Sequence, residues 1–117
     1  MKENIIKFKS LDFALRIVKL YQYITEQKKE FVLSKQLLRS GTAIGALVRE
    51  SEHAESKADF IHKLSVALKE ANETEYWIEL LFKSNFIDEK SYLSIQTDIT
   101  ELLKLLIAII RTSKTKE

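Results

Sequence analysis

Apolar residues recur at three- and four-residue spacing in four separate stretches, the period of an amphipathic helix with one buried face. In the first stretch Leu11, Ala14, Leu15, Ile17, Val18, Tyr21 and Ile24 keep that phase, and the charged run Glu26 to Glu30 closes it. The second opens at Ser34, whose hydroxyl suits an N-cap, with Leu33 and Leu38 placed as a hydrophobic staple. Its stripe is Leu37, Gly41, Ile44 and Val48, widened by Leu38, Leu47 and Ala54. The third opens at Ser56 with Asp59 in the reciprocal cap position and carries Phe60, Ile61, Leu64, Ala67, Leu68, Ala71, Ile78, Leu81 and Phe82, with Asn85 as its C-cap. The fourth follows Asp88 with Tyr92, Ile95, Ile99, Leu102, Leu103, Leu106, Ile109 and Ile110 in phase. The pattern predicts helices over about 10–27, 34–54, 57–84 and 88–112, in one domain spanning 1–117. Short connections make successive helices run in opposite directions, so the expected architecture is an all-α, antiparallel up-down-up-down four-helix bundle.

Composition narrows the class without naming a function. The 117 residues include no proline, two glycines and no cysteine, which disfavours a turn-rich β-sandwich and excludes a disulfide framework. The first thirty residues are too charged for a signal peptide, and no apolar run reaches the ~18 residues that cross a bilayer. A cytoplasmic protein with no membrane partner is the expectation.

Three features exceed what a plain bundle needs. Between Leu102 and Ile110 only Lys104 is polar, so Leu105, Ile107 and Ala108 fall outside the core stripe and form the candidate subunit interface. Gly41 and Gly45 lie one turn apart inside the second helix, where glycine costs ~1 kcal/mol relative to alanine, so close packing against a neighbouring helix is expected. Glu75 falls on the core heptad, and register places Arg39 within reach of Glu73 and Glu75, which predicts an ion pair between the second and third helices.

Catalytic chemistry finds little support. Glu50-x-x-His53 and Asp59-x-x-His62 flank a turn instead of facing the core from mid-helix, so no metal or other cofactor is expected. The adjacent Tyr76 and Trp77 read as packing residues. No nucleophile elbow, triad or isolated carboxylate pair stands out, and an enzyme is not expected. Charge is uneven along the chain: residues 1–33 hold seven basic side chains against four acidic ones, and the remainder is nearly balanced. Lys7, Lys9, Arg16, Lys19, Lys28, Lys29 and Lys35 are the candidate phosphate contacts.

The run from Leu33 through Arg39-Ser-Gly-Thr-Ala-Ile-Gly-Ala46, then Arg49-Glu50 and Ala54 through Tyr76-Trp77, closely resembles the bacterial four-helix bundle family named after proteins encoded in 23S ribosomal RNA intervening sequences. That resemblance implies a homopentameric ring. It also implies kinship with the accessory variability protein of diversity-generating retroelements, which binds nucleic acid and reverse transcriptase through basic surface. Arg39 matches the family's second-helix arginine, Ala46 to Glu50 its Ala-x-x-x-Glu stretch, and Glu73 and Glu75 its third-helix acidic pair. Leu47 stands where relatives often carry asparagine. The expected function is a non-enzymatic oligomeric bundle that binds RNA, a ribonucleoprotein or a nucleic-acid-processing protein through basic side chains repeated around the ring. The alternative is a protein-docking scaffold that ignores nucleic acid.

Overall fold

A computed structural model describes residues 2–115. Four α-helices account for nearly all of it: α1 (Lys2–Gln27), α2 (Leu33–Ser51), α3 (Lys57–Lys83) and α4 (Glu89–Thr115). No strand occurs among the described residues. Each helix packs on its chain neighbour and α1 also packs on α4, so the four surround one core, with α1 diagonal to α3 and α2 to α4. The molecule measures 50 × 22 × 19 Å.

Local chemistry sets the helix ends. Ser56 caps α3 by accepting the Asp59 N–H, while the Asp59 carboxylate reaches back to the Glu55 N–H. Asp88 accepts the Ser91 N–H at 2.7 Å in the first turn of α4. Lys29 and Asn85 take up positive φ just past the ends of α1 and α3, and the N–H of the following residue returns to the carbonyl of Ile24 or Leu81. At α2 the cap differs from the expected one. Ser34 lies inside the helix, buried, and the capping group is the Glu30 carboxylate, which accepts from the N–H groups of Val32, Leu33 and Ser34 at 3.0, 2.9 and 2.8 Å.

Three boundaries also differ. Helix α1 begins eight residues before the expected position 10, because Ile6 extends the buried face by another turn. Helix α2 stops at Ser51 and not near 54, where N–H bonds three residues back, from Glu52, His53 and Ala54, tighten the chain into the turn. Helix α4 continues to Thr115 beyond the expected 112, and residues 116–117 lie outside the described residues.

Apart from Phe13 the core is aliphatic, formed by Ile6, Ile17 and Ile24 of α1 with Leu37, Ile44, Leu64, Ile78, Leu81, Ile99, Leu102 and Leu106 of the other helices. In α1 this is a different stripe from the expected one. Ile17 and Ile24 belong to both, but Leu11, Leu15 and Val18 face outward and Ile6, Ser10 and Phe13 face inward. The helix is apolar on two opposed faces, and periodicity alone does not say which is core. In α3 Thr74, not Glu75, occupies the buried position between Ala71 and Ile78, where its hydroxyl and that of Ser40 hydrogen-bond at 2.9 Å.

Candidate nucleic-acid interface

The seven basic side chains do not form one strip. Lys7 pairs with Glu52 at 3.4 Å, Lys9 with Glu101 at 3.1 Å, and Arg16 with Asp98 while also donating to Ser94 Oγ at 3.0 Å. These three therefore stitch α1 to α2 and α4, and much of their charge is met by carboxylates. Lys19, Lys28, Lys29 and Lys35 have no ion-pair partner among the described residues. All four lie toward the end of the molecule that carries the α1–α2 connection.

Aromatic groups share that end. Tyr23 is 41% exposed and Phe31 59% exposed, and Val32 beside it is more open still. A groove of about 420 Å³ between α1 and α4 is lined by Arg16, Lys19, Leu20, Tyr23, Asp88, Ser91 and Ile95. At its upper rim the Asp88 carboxyl is held below the usual carboxylate range, mainly by the Ser91 N–H, with the ammonium charges of Lys90 and Lys28 adding to the effect. Cations interleaved with exposed rings can hold a phosphate backbone and offer stacking faces to unpaired bases. Tyr23 and Phe31 were not among the sequence-derived candidates. Their signal was present, since Tyr23 sits off the core phase of α1 and Phe31 lies in a connection.

The other expected site residues fall elsewhere. Arg39 lies between two α3 carboxylates, with Nη1 3.2 Å from Glu70 Oε1 and Nη2 against Glu73. Glu73 also accepts the Trp77 indole N–H at 3.0 Å, and this bond, then the Arg39 contact, holds its carboxyl below the ordinary range. The Glu73 bond in turn raises the Arg39 guanidinium further above its usual value. Glu75 does not meet Arg39. It is half-buried toward α4 and accepts from Gln96 Nε2 at 3.2 Å. The reason is the one-residue offset already noted, which gives the core position to Thr74. Tyr76 projects outward and Trp77 packs against the core.

Gly41 and Gly45 lie where α2 crosses α1. A Cβ on Gly41 would sit 2.8 Å from Ile17 Cγ1, and one on Gly45 would sit 3.4 Å from the Ser10 carbonyl oxygen. On α4, Leu105 is partly buried against the core and lines a surface groove with Leu93 and Lys104. Ala108 is half-buried, and Ile107 is the exposed member of the three at 40%. Leu47 packs partly buried against the core.

Among the described residues no three His, Cys, Asp or Glu side chains converge as a metal-binding group. Likewise, no described helix is long and apolar enough to cross a membrane.

A family model described as 23S rRNA-intervening sequence protein matches residues 2–108. The chain belongs to this family. A crystal structure from Bacteroides thetaiotaomicron VPI-5482, titled as a protein with unknown function from the S23 ribosomal protein family, is 60% identical to it. The match covers 95% of this chain and 99% of that one at a TM-score of 0.94. No curated protein matches the chain significantly. Membership in the 23S rRNA-intervening sequence protein family thus comes with an all-α four-helix fold and without an assigned activity.

Proposed function

We propose that the protein is a non-enzymatic binding module, a cytoplasmic antiparallel up-down-up-down bundle that assembles into a homo-oligomer, pentameric by family resemblance, and holds RNA or a ribonucleoprotein. The antiparallel reading is supported by contacts whose residue numbers run in opposite senses. Lys63 meets Glu50 while Arg39 meets Glu73, and Lys9 meets Glu101 while Arg16 meets Asp98. The same holds for Gln96 with Glu75 and Tyr92 with Phe82.

One observation carries the RNA reading: Lys19, Lys28, Lys29 and Lys35 lie toward the same end as the exposed Tyr23 and Phe31, and none of the four forms an ion pair among the described residues. Repetition of that end around a ring would sum its field. Contacts of this kind reach phosphates and base faces, so discrimination between sequences is weak and salt dependence strong.

Fluorescence anisotropy with a structured RNA tests the reading. Four phosphate contacts predict about a 10²-fold loss of affinity between about 50 and 200 mM salt. Replacing Lys28, Lys29 and Lys35 together by glutamate should abolish binding, whereas Lys9→Ala should change it little. If no RNA binds even at the lower salt, the nucleic-acid reading fails and a protein-docking scaffold takes its place.

A further inference from the structure

Helix α1 carries a second apolar seam diametrically opposite its core face. Phe8, Leu11, Leu15 and Val18 follow one another at three- and four-residue spacing, and they are 64%, 44%, 54% and 37% exposed. Asn4 and Gln22 continue the same spacing at either end, so the seam is bounded by polar residues. It covers about 15 Å of helix at 1.5 Å per residue. The four side chains leave on the order of 400 Å² of apolar surface in water, well within the size of patch that marks an interaction site on a soluble protein.

A receiving surface lies directly beside this ridge. Between α1 and α2 runs a groove of about 370 Å³ walled by Leu11, Ala14, Thr42, Gly45 and Ala46, with Lys7 and Arg49 at its edge. Small side chains and a glycine make it shallow enough for a leucine or phenylalanine ridge to enter. On the opposite flank of the ridge, Asp12 lines a depression toward α4 with Lys9, Asp98 and Glu101. Most charged groups on the two flanks already hold partners: Lys7 with Glu52, Lys9 with Glu101, Arg16 with Asp98. Asp12 on the ridge side and Arg49 on the groove side have no ion-pair partner among the described residues.

We propose that the α1 ridge docks in the α1–α2 groove of a second copy of this chain, bringing Asp12 of one copy beside Arg49 of the other. The occupant is a second copy because ridge and groove adjoin on one surface with complementary charges left over. Seating a ridge in a neighbour's groove carries the far-flank acid across to the neighbour's far-flank base. An unrelated partner would have no reason to match both. The proposal takes up the homo-oligomer reading above, and it places the contact on α1 and α2 instead of on Leu105, Ile107 and Ala108 of α4.

Light scattering on the full chain, with circular dichroism of every variant, tests it. Wild type should exceed the mass of one chain. The double change Leu11→Glu and Leu15→Glu should yield single chains of unchanged helicity, since both side chains face solvent in the isolated bundle. Asp12→Arg should weaken association about fivefold, and Asp12→Arg combined with Arg49→Asp should restore it, the size expected of an exposed ion pair. These charge swaps touch no core residue and keep the test informative if the glutamate variants unfold. Ile107→Glu should leave the assembly intact. A single-chain wild type would overturn both this proposal and the oligomer reading. An assembly indifferent to the folded ridge variants and to the charge swap would overturn the proposed contact alone.

Discussion

The two glycines of α2 look equivalent in the sequence, one turn apart on one face, yet the nearest atom to an added Cβ lies at 2.8 Å for one and 3.4 Å for the other. At Gly41 an added Cβ would strike Ile17 at its branched Cβ substituents, which have no free rotation with which to withdraw. At Gly45 it would rest against the Ser10 backbone at an ordinary contact distance. Gly41→Ala should therefore destabilise by about 1–3 kcal/mol through overpacking, more than the ~1 kcal/mol gained in helix propensity. Gly45→Ala keeps part of that gain and should be stabilising by up to ~1 kcal/mol. Urea unfolding of the two variants separates them, and equal effects would show that the crossing is looser than described. The sequence pointed to a close approach at both positions, because two mid-helix glycines need a reason, but it held no sign of which one touches a branched side chain. The same limit applies to Thr74 and Glu75. A threonine and a glutamate in adjacent positions each fit a heptad read to within one residue, and the hydroxyl of Ser40 across the interface decides for Thr74.

At the scale of the element, α2 depends on a residue that precedes it. Burial alone would push the Glu30 carboxyl up, but the N–H groups of Leu33, Ser34 and Val32 together outweigh it and hold the group below its ordinary value. A carboxyl lowered by folding contributes stability that is fully present above its unfolded pKa and is lost as pH falls through the folded one. Glu30→Ala should then cost about 1 kcal/mol near neutral pH, the usual worth of a cap, and the gap to wild type should close as pH falls below about 4. Urea midpoints of both proteins across that range check it, and a gap that stays constant would mean that the carboxylate does not cap. Sequence patterns favoured Ser34 because capping rules weight hydroxyls at the first apolar residue. A glutamate four residues earlier acts only because Lys29 takes up positive φ and the chain doubles back over the start of α2. The early start of α1 was hidden for a related reason, since residues before Ser10 alternate charged and apolar groups without a cap to mark the end.

At the scale of the molecule, the four-helix plan was legible almost throughout, because the stripes that periodicity picks out in α2, α3 and α4 are largely the faces that turn inward. Helix α1 has two stripes, and only tertiary packing selects between them. The candidate basic site was legible as a list of basic side chains but not as a place, since pairing with Glu52, Asp98 and Glu101 removes three of its members and leaves four at one end. The outward ridge of α1 has a consequence for how stability is measured. If copies cover it, the folded state is linked by mass action to the total amount of chain, and the thermal midpoint is no longer a property of the sequence alone. Melting wild type over a hundredfold range of concentration should move the midpoint upward, while Leu11→Glu/Leu15→Glu should melt at one temperature throughout. A wild-type midpoint independent of concentration would show that the ridge stays wet. The seam that makes α1 ambiguous to read would in that case make the protein's stability a collective quantity, set by how many neighbours each chain can find.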